Sequence, residues 1–183
     1  MNRLVIITVG KTHSGKTTFA KDLEQQLGNS IVIDQDNHAE FINTFYKSLL
    51  PSQGPNTIKY AVTQTIVDYA VNQTSFHLIL CNSNRSRNDR LELLRHFRDK
   101  GFISILVHFD IPDYVLQARV ANSKRSTTIF RSAATFEEVL NRQMAESHKS
   151  ELIAPIEGEA DYLFTINNND DVQSVIRKIV DIS

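Results

Sequence analysis

The sequence predicts an α/β protein whose parallel sheet is covered by helices on both faces. Apolar runs of strand length alternate with segments of helical apolar spacing along the whole chain. The first such run leads into Gly10-Lys11-Thr12-His13-Ser14-Gly15-Lys16-Thr17, a glycine-bounded loop that opens a helix. The chain has 183 residues, 41% of them hydrophobic, which suits one domain with a real core, residues 1–183.

Leu4 to Val9 is a continuous apolar run and predicts the first strand. Phe19, Ala20, Leu23 and Leu27 then recur at helical spacing, and Gly28 suits a helix end. Ile31 to Ile33 predicts a short second strand, ending in Asp34-Gln35-Asp36-Asn37-His38. Phe41, Ile42, Phe45, Leu49 and Leu50 predict a helix running to Pro51, and Ser52 to Asn56 is a loop by composition. Ile58, Ala61, Val62, Thr65, Ile66 and Tyr69 predict another helix. Two helices with no strand between them read as an inserted, substrate-facing region at about 37–73.

Phe76 to Cys81 predicts the third strand, and Asn82 to Arg87 a polar loop. Leu91, Leu94 and Phe97 mark a helix closed by Gly101, and Ile103 to Phe109 the fourth strand. Pro112 suits the first turn of a helix carrying Val115, Leu116 and Val120. Residues from about 123 to 135 are polar, basic and aperiodic. Phe136, Val139, Leu140, Gln143 and Met144 resume a helix. Tyr162 to Ile166 predicts the fifth strand, and Val172, Val175, Ile176, Ile179 and Val180 the closing helix.

Composition narrows the function classes. No apolar run approaches the roughly 20 residues of a membrane span. Cys81 is the only cysteine, so no intrachain disulfide forms, and Met-Asn-Arg leads straight into a strand. A cytoplasmic protein is expected, with no membrane partner. A net charge of −1 argues against extended nucleic-acid binding. His77, His96, His108 and His148 show no metal-ligand spacing. Oligomeric state is not legible.

The chemistry of the loop is that of a phosphate cradle. Gly10 and Gly15 allow torsions that residues with a Cβ resist, so successive amides can turn toward phosphate oxygens. Lys16 can reach β- and γ-phosphates, the Thr17 hydroxyl can ligate Mg²⁺, and the next helix adds its positive end. ATP and Mg²⁺ are the expected cofactors. Parallel sheets of this kind bind ligands beyond the carboxyl ends of their strands, so the loop, 34–38, 81–87 and Asp110 should share one rim.

Phosphoryl transfer also needs a group for the acceptor proton and cations for the transferred charge. Asp34 and Asp36 are the candidates for the first, one of them alternatively capping the helix near Asn37. Arg119, Lys124, Arg125 and Arg131 are candidates for the second if residues 123–135 form a lid. The alternative is a solvated face. Arg85, Arg87 and Arg90 could hold an anion on the acceptor or could simply begin a charged helix.

These residues resemble the P-loop kinases of the polynucleotide 5′-kinase type and their zeta-toxin-like relatives. The likeness spans most of the chain, through "GKTHSGKTTFA", "IDQDNH", "NSNRSRNDRLELLRHFRDKGF" and "FDIPDYVLQARVANSKR". It implies a three-layer P-loop NTPase fold with strand order 2-3-1-4-5, built on the nucleoside-monophosphate-kinase core. It implies Asp36 as catalytic base, a match for Asn84, and Arg119 and Arg125 on the ATP phosphates.

Together the expected catalytic set is Lys16, Asp36 and Arg125. The nucleotide set is Gly10, His13, Ser14, Gly15, Lys16, Thr17, Thr18, Arg119 and Arg125. The acceptor set is Asp34, Asp36, Asn84, Arg85 and Arg87, with Thr17 on the metal. The expected activity is ATP-dependent phosphorylation of a hydroxyl on a nucleic-acid end, nucleotide, sugar or other small molecule. The alternatives are a nucleoside-monophosphate-kinase-like phosphotransferase and an ATP-binding switch with little turnover. Cys81 departs from the resemblance, which implies an aspartate at the end of the third strand.

Overall fold

The structure is a computed structural model that describes residues 3–131 and 133–183. Five parallel strands form one sheet in the order β2-β3-β1-β4-β5: β1 Leu4–Val9, β2 Ser30–Asp34, β3 His77–Cys81, β4 Ile103–Phe109 and β5 Tyr162–Ile166. The central strand β1 is buried along its whole length, as expected of a strand covered on both faces. Alternate residues feed two cores. Leu4, Ile6, Ile79, Ile105 and Val107 pack with Phe19, Leu23 and Ile176 on one face. Val5, Ile7, Leu78, Leu80 and Leu106 pack with Val67, Leu94 and Phe97 on the other. Each such large side chain contributes about 1.5–3 kcal/mol on burial, which anchors the strand ends that carry the polar residues.

The helices are α1 Lys16–Gln26, α2 Gln35–Phe45, α3 Thr57–Gln73, α4 Arg87–Asp99, α5 Asp113–Ala121, α6 Phe136–Ala145 and α7 Asp171–Ile182. Side-chain caps explain several starts. Asp34 caps α2, Asn56 caps α3, Ser86 caps α4 and Thr135 caps α6, each accepting a backbone N–H of the first turn. The cap at Asp34 moves the start of α2 ahead of Asn37, where apolar spacing alone had put it. The helix expected to reach Pro51 instead ends at Phe45, and Lys47–Leu49 forms one 3₁₀ turn. Phe45 and Leu49 are exposed, so no core contact carries the helix further.

His77 is a fastener in the core: its Nδ1 accepts the Leu4 N–H at 2.9 Å and ties β3 to β1. A buried ion pair fastens the far side, where Arg90 Nε donates to Glu159 Oε2 at 2.8 Å. Among the described residues no helix is long and apolar enough to cross a membrane.

Candidate active site

The carboxyl ends of the strands open into a cavity of about 820 Å³. Its floor is the loop between β1 and α1. Gly10 sits where a Cβ would come within 2.9 Å of the Phe109 Cβ and 3.0 Å of Ser14 Oγ. Any larger residue would push the loop off β4. The Gly10 N–H is already spent on Ser83 O at 2.9 Å, so Gly10 shapes the cradle and does not donate to a ligand. Gly15 takes φ 102° at the N-cap of α1, and His13 takes φ 59°. Such positive torsions turn consecutive N–H groups toward one point.

Lys16 bends back over the loop. Its Nζ donates to Lys11 O at 2.5 Å and to Ser14 Oγ at 3.2 Å, filling the cradle with its own charge. Burial lowers its pKa to about 8, with Asp36 and Asp34 acting in the opposite sense. Thr17 follows on α1, and its hydroxyl donates to Asp34 Oδ2 at 3.2 Å and lies 3.6 Å from Cys81 Sγ. Asp34 and Cys81 are paired neighbours on β2 and β3. The Asp34 carboxylate is buried and divided between two tasks, with Oδ1 capping α2 through the Asp36 N–H and Oδ2 facing Thr17. Burial, then the nearby Asp34 charge, raise the Cys81 thiol to about 11 against a weaker opposing effect of the Thr17 hydrogen bond. Cys81 is therefore a neutral thiol and a poor partner for a hard cation.

Asp36, one residue into the first turn of α2 past Gln35, faces the segment before α6. Its Oδ2 accepts from Arg125 Nη2 at 2.6 Å. Arg125 also lies over the Phe136 ring, 5.3 Å from its centroid. That segment folds over the cavity. Asn43 Nδ2 donates to Thr128 O at 2.6 Å, and Arg131 donates to Pro51 O at 2.7 Å and to Gly54 O. His13 Nε2 pairs with Ser123 Oγ at 2.8 Å, and the His13 ring meets the Phe136 edge at 4.7 Å. Burial lowers the His13 pKa, and the charges of Arg125, Lys16 and Arg119 push the same way.

Arg119 on α5 reaches the loop from the opposite side. Its Nη1 donates to His13 O at 3.0 Å and its Nη2 to Asn169 Oδ1 at 2.9 Å. Beyond it, Phe109, Ile111, Ile166 and Val172 give the same cavity an apolar end. Ser14, Thr18, Arg119, Arg125, Asp34 and Asp36 all line this cavity with the loop.

Three expected acceptor residues stand outside this cavity, Asn84 in the wall of a neighbouring one. Arg85 Nη2 donates to Gln143 O at 2.8 Å and to Ser147 Oγ at 3.1 Å, closing the end of α6. Arg87 pairs with Glu159 at 3.2 Å, beside Arg90. Asn84 donates to Thr8 O at 2.9 Å and takes φ 44°, so it shapes the turn after β3. Arg85 and Arg87 are expected to grip an acceptor anion; here the Arg85 guanidinium is engaged by Gln143 O and Ser147 Oγ, and Arg87 Nε by Glu159, outside this cavity. Arg131, weighed as a phosphate ligand, is likewise held by loop carbonyls.

Gln143 and Asn169 line the same cavity without a motif to announce them. Outside the cavity, burial lowers the pKa of Lys59 on α3, and the Asp36 charge opposes that shift. Gln143 Oε1 accepts the Thr12 N–H at 2.7 Å. Gln143 had been read only as part of a helical stripe.

The fold recurs in solved structures. Kti12 of Chaetomium thermophilum, solved in complex with ADP-AlF3, superposes with a TM-score of 0.63 at 17% identity, covering 97% of each chain. The APS kinase of Mycobacterium tuberculosis, solved with AMPPNP and APS, gives 0.60 at 15% identity over 99% of this chain and 97% of that one. The tunicamycin resistance protein of Deinococcus radiodurans gives 0.59 at 15% identity over 99% and 95%. At such identities the likeness is one of fold. No curated protein matches in sequence. The model of the AAA domain family matches residues 5–148, from β1 through the loop, both aspartates and α6, and the chain belongs to that family.

Proposed function

We propose that the protein is a kinase that moves the γ-phosphoryl group of ATP to a hydroxyl of a small acceptor. The observation that carries this reading is the convergence of Lys16, Thr17, Asp34, Asp36 and Arg125 on one cavity at the carboxyl rim of the sheet. The solved APS kinase shares this fold, which makes a phosphotransferase the natural comparison.

The residues present fit the nucleotide. The cradle is shaped by Gly10, and the ammonium of Lys16 now donates to Lys11 O, a weaker partner than a phosphate oxygen. Phosphates would draw Lys16 out of that contact. Arg119 and the apolar end of the cavity would receive the nucleoside. Among the described residues no three His, Cys, Asp or Glu side chains gather as a metal cage. That suits Mg²⁺, which keeps its waters and is held by one or two protein oxygens plus phosphates. Thr17 Oγ1 would hold it, with Asp34 orienting Thr17 or a bound water. When bound, Mg²⁺ neutralises charge on the β- and γ-phosphate oxygens.

Transfer then asks little covalent chemistry of the chain. The acceptor oxygen forms its bond to the γ-phosphorus as the bond to the β–γ bridging oxygen breaks, and ADP departs. The hydroxyl proton passes to the Asp36 carboxylate late in a loose transition state, so a base of ordinary strength suffices. Arg125 leaves Asp36 for the phosphate charge that grows during transfer, which frees the base. Residues 123–135 act as the lid and exclude water.

Asp36→Asn keeps the shape and removes the charge. It should leave ATP binding nearly intact and lower transfer by about 10²-fold or more. Transfer at the wild-type rate would remove Asp36 from the mechanism. A second reading, an ATP-binding switch with little turnover, draws on Cys81 standing beside Thr17 where an acid would assist the metal. Tight ATP binding with no transfer across a panel of hydroxyl acceptors would favour it.

A further inference from the structure

A second cavity of about 350 Å³ opens against the first, its walls supplied by α3, α4 and the ends of β2 and β3. The two cavities share Cys81 and Asn82. That shared wall is where Thr17 and Asp34 meet Cys81, the transfer end of the nucleotide cavity on the reading above. The partition is thin: Asn82 Nδ2 donates to Gln35 Oε1 at 3.0 Å, and Gln35 precedes Asp36. A volume of this size falls within the range of small-molecule sites.

The lining selects by charge. Asp89 and Glu92 of α4 supply two carboxylates, Gln64 of α3 an amide, and Leu80 and Leu93 an apolar floor. His96 stands in the same wall, with its Nε2 buried and without a hydrogen-bond partner among the described residues. An unsatisfied polar atom beside a polar cavity is where a ligand hydroxyl or amine gains most. Among the described residues no lysine or arginine lines this cavity. The arginines that follow β3 are committed elsewhere, Arg85 to Gln143 and Ser147, Arg87 and Arg90 to Glu159. Lys59 of α3 also lies outside this wall. A phosphate entering here would meet two carboxylates and no cation, and like charges at short range disfavour each other. A hydroxyl or an ammonium would find partners.

We propose, resting on the kinase reading, that this second cavity seats the body of the acceptor. The acceptor is a compact polyhydroxy compound without a phosphate group, and it binds best when it carries an amine. Its reacting hydroxyl passes the Gln35–Asn82 partition toward Asp36. A nucleoside monophosphate or a phosphorylated nucleic-acid end is excluded as acceptor by the same charges.

The test is a nuclear magnetic resonance titration of the whole chain with Mg²⁺ and a non-hydrolysable ATP analogue, using glucosamine, inositol and ribose 5-phosphate as probes. Glucosamine and inositol should shift the His96 ring and Leu93 methyl signals, with glucosamine binding about ten-fold more tightly. Glu92→Gln should erase that advantage. Gln64→Trp, at an exposed position on the wall, should block both probes while the analogue still binds. The proposal is overturned if neither probe moves His96 and Leu93, if ribose 5-phosphate binds as tightly as glucosamine, or if Gln64→Trp changes nothing. The Lys16 and Thr17 signals report the analogue separately. If they stay still while glucosamine moves His96, the ATP reading fails, the cavity keeps its amine-bearing polyhydroxy ligand, and that ligand's role as acceptor falls. If they move and His96 and Leu93 stay silent, the cavity assignment alone fails.

Discussion

Arg125 Nη2 lies 2.6 Å from Asp36 Oδ2, joining the segment before α6 to the first turn of α2. Both side chains are over a third exposed, so the pair contributes at most about 1 kcal/mol. A guanidinium gains more from phosphate oxygens in a closed site, where its contacts are charge-assisted and bidentate. The pair is thus easily exchanged. In the proposed cycle Arg125 holds the lid against the base until the charge growing on the phosphate during transfer offers a better anion.

Arg125→Ala should therefore lower kcat by about 10-fold or more while changing ATP affinity by less than about 3-fold, since charge grows on the phosphates only during transfer. Separate measurement of kcat and of ATP affinity by calorimetry checks this. Equal losses in both would make Arg125 a ground-state ligand. No loss in either would return residues 123–135 to a solvated surface.

Lys16 gives the site a pH dependence. Burial lowers its pKa to about 8, so the ammonium needed by phosphate is lost as pH rises through that value in the free protein. ATP affinity should fall by about 10-fold between pH 7 and pH 9.5, and Lys16→Ala should flatten the profile at the lower affinity. The stability of the free protein runs the other way. A lysine whose folded pKa is depressed penalises the fold while charged, and that penalty fades between about pH 8 and the unfolded value near 10.4. Calorimetry with ATP and thermal melts without it should therefore show opposite trends over that window. Parallel trends would contradict the assignment.

Glu159 tests the placement of the arginine cluster. Arg90 is fully buried and pairs with Glu159 through Nε and Nη2. Burial pushes the Glu159 pKa up, but the hydrogen bonds and charge of Arg90, with the Arg87 hydrogen bond, together outweigh it and hold the carboxyl below its usual value. Glu159→Ala leaves a buried guanidinium short of its counter-charge and should cost about 3–5 kcal/mol of stability. ATP affinity of the folded fraction should not change. A thermal melt and an ATP titration check the two halves. An unchanged melt with weakened acceptor binding would restore Arg87 and Arg90 to the site.

What the sequence made legible follows from the range of the interactions involved. β1 and β4 match the residues read from their apolar runs, because burial on both faces leaves a nearly uninterrupted signal; β5, an edge strand with Tyr162 exposed and Ile166 buried, also matches its run. The loop from Gly10 to Thr17 was legible because its chemistry is local. The start of α2 was misplaced because the Asp34 cap is polar and adds nothing to an apolar stripe. The fates of Arg85 and Arg87 were hidden because Gln143 and Glu159 lie far along the chain, and a charged side chain carries no mark of its partner.

Asp34 is the residue whose role the geometry divides most finely. Its Oδ1 accepts the Asp36 N–H at 2.9 Å and caps α2, while its Oδ2 faces the Thr17 hydroxyl at 3.2 Å. Cys81, its neighbour on β3, offers only a neutral thiol. On the proposed reading Asp34 supplies the negative charge beside Mg²⁺ that Cys81 does not. Asp34→Asn separates the two tasks. Asparagine caps a helix about as well as aspartate, so the melting temperature should stay within about 2 °C. The charge is gone, so the Mg²⁺ concentration for half-maximal transfer should rise by about 10-fold, in line with the loss of a charged hydrogen-bond partner. Asp34→Ala should show the same Mg²⁺ effect and also lose about 1 kcal/mol from the missing cap. Cys81→Asp in the Asp34→Asn background returns a carboxylate to the paired position and should bring the Mg²⁺ requirement back toward wild type. Asp36→Asn should leave the Mg²⁺ requirement alone and depress the rate at every Mg²⁺ concentration. If Asp34→Asn abolishes transfer at saturating Mg²⁺ while Asp36→Asn retains it, the acceptor proton goes to Asp34, and Arg125 guards a bystander.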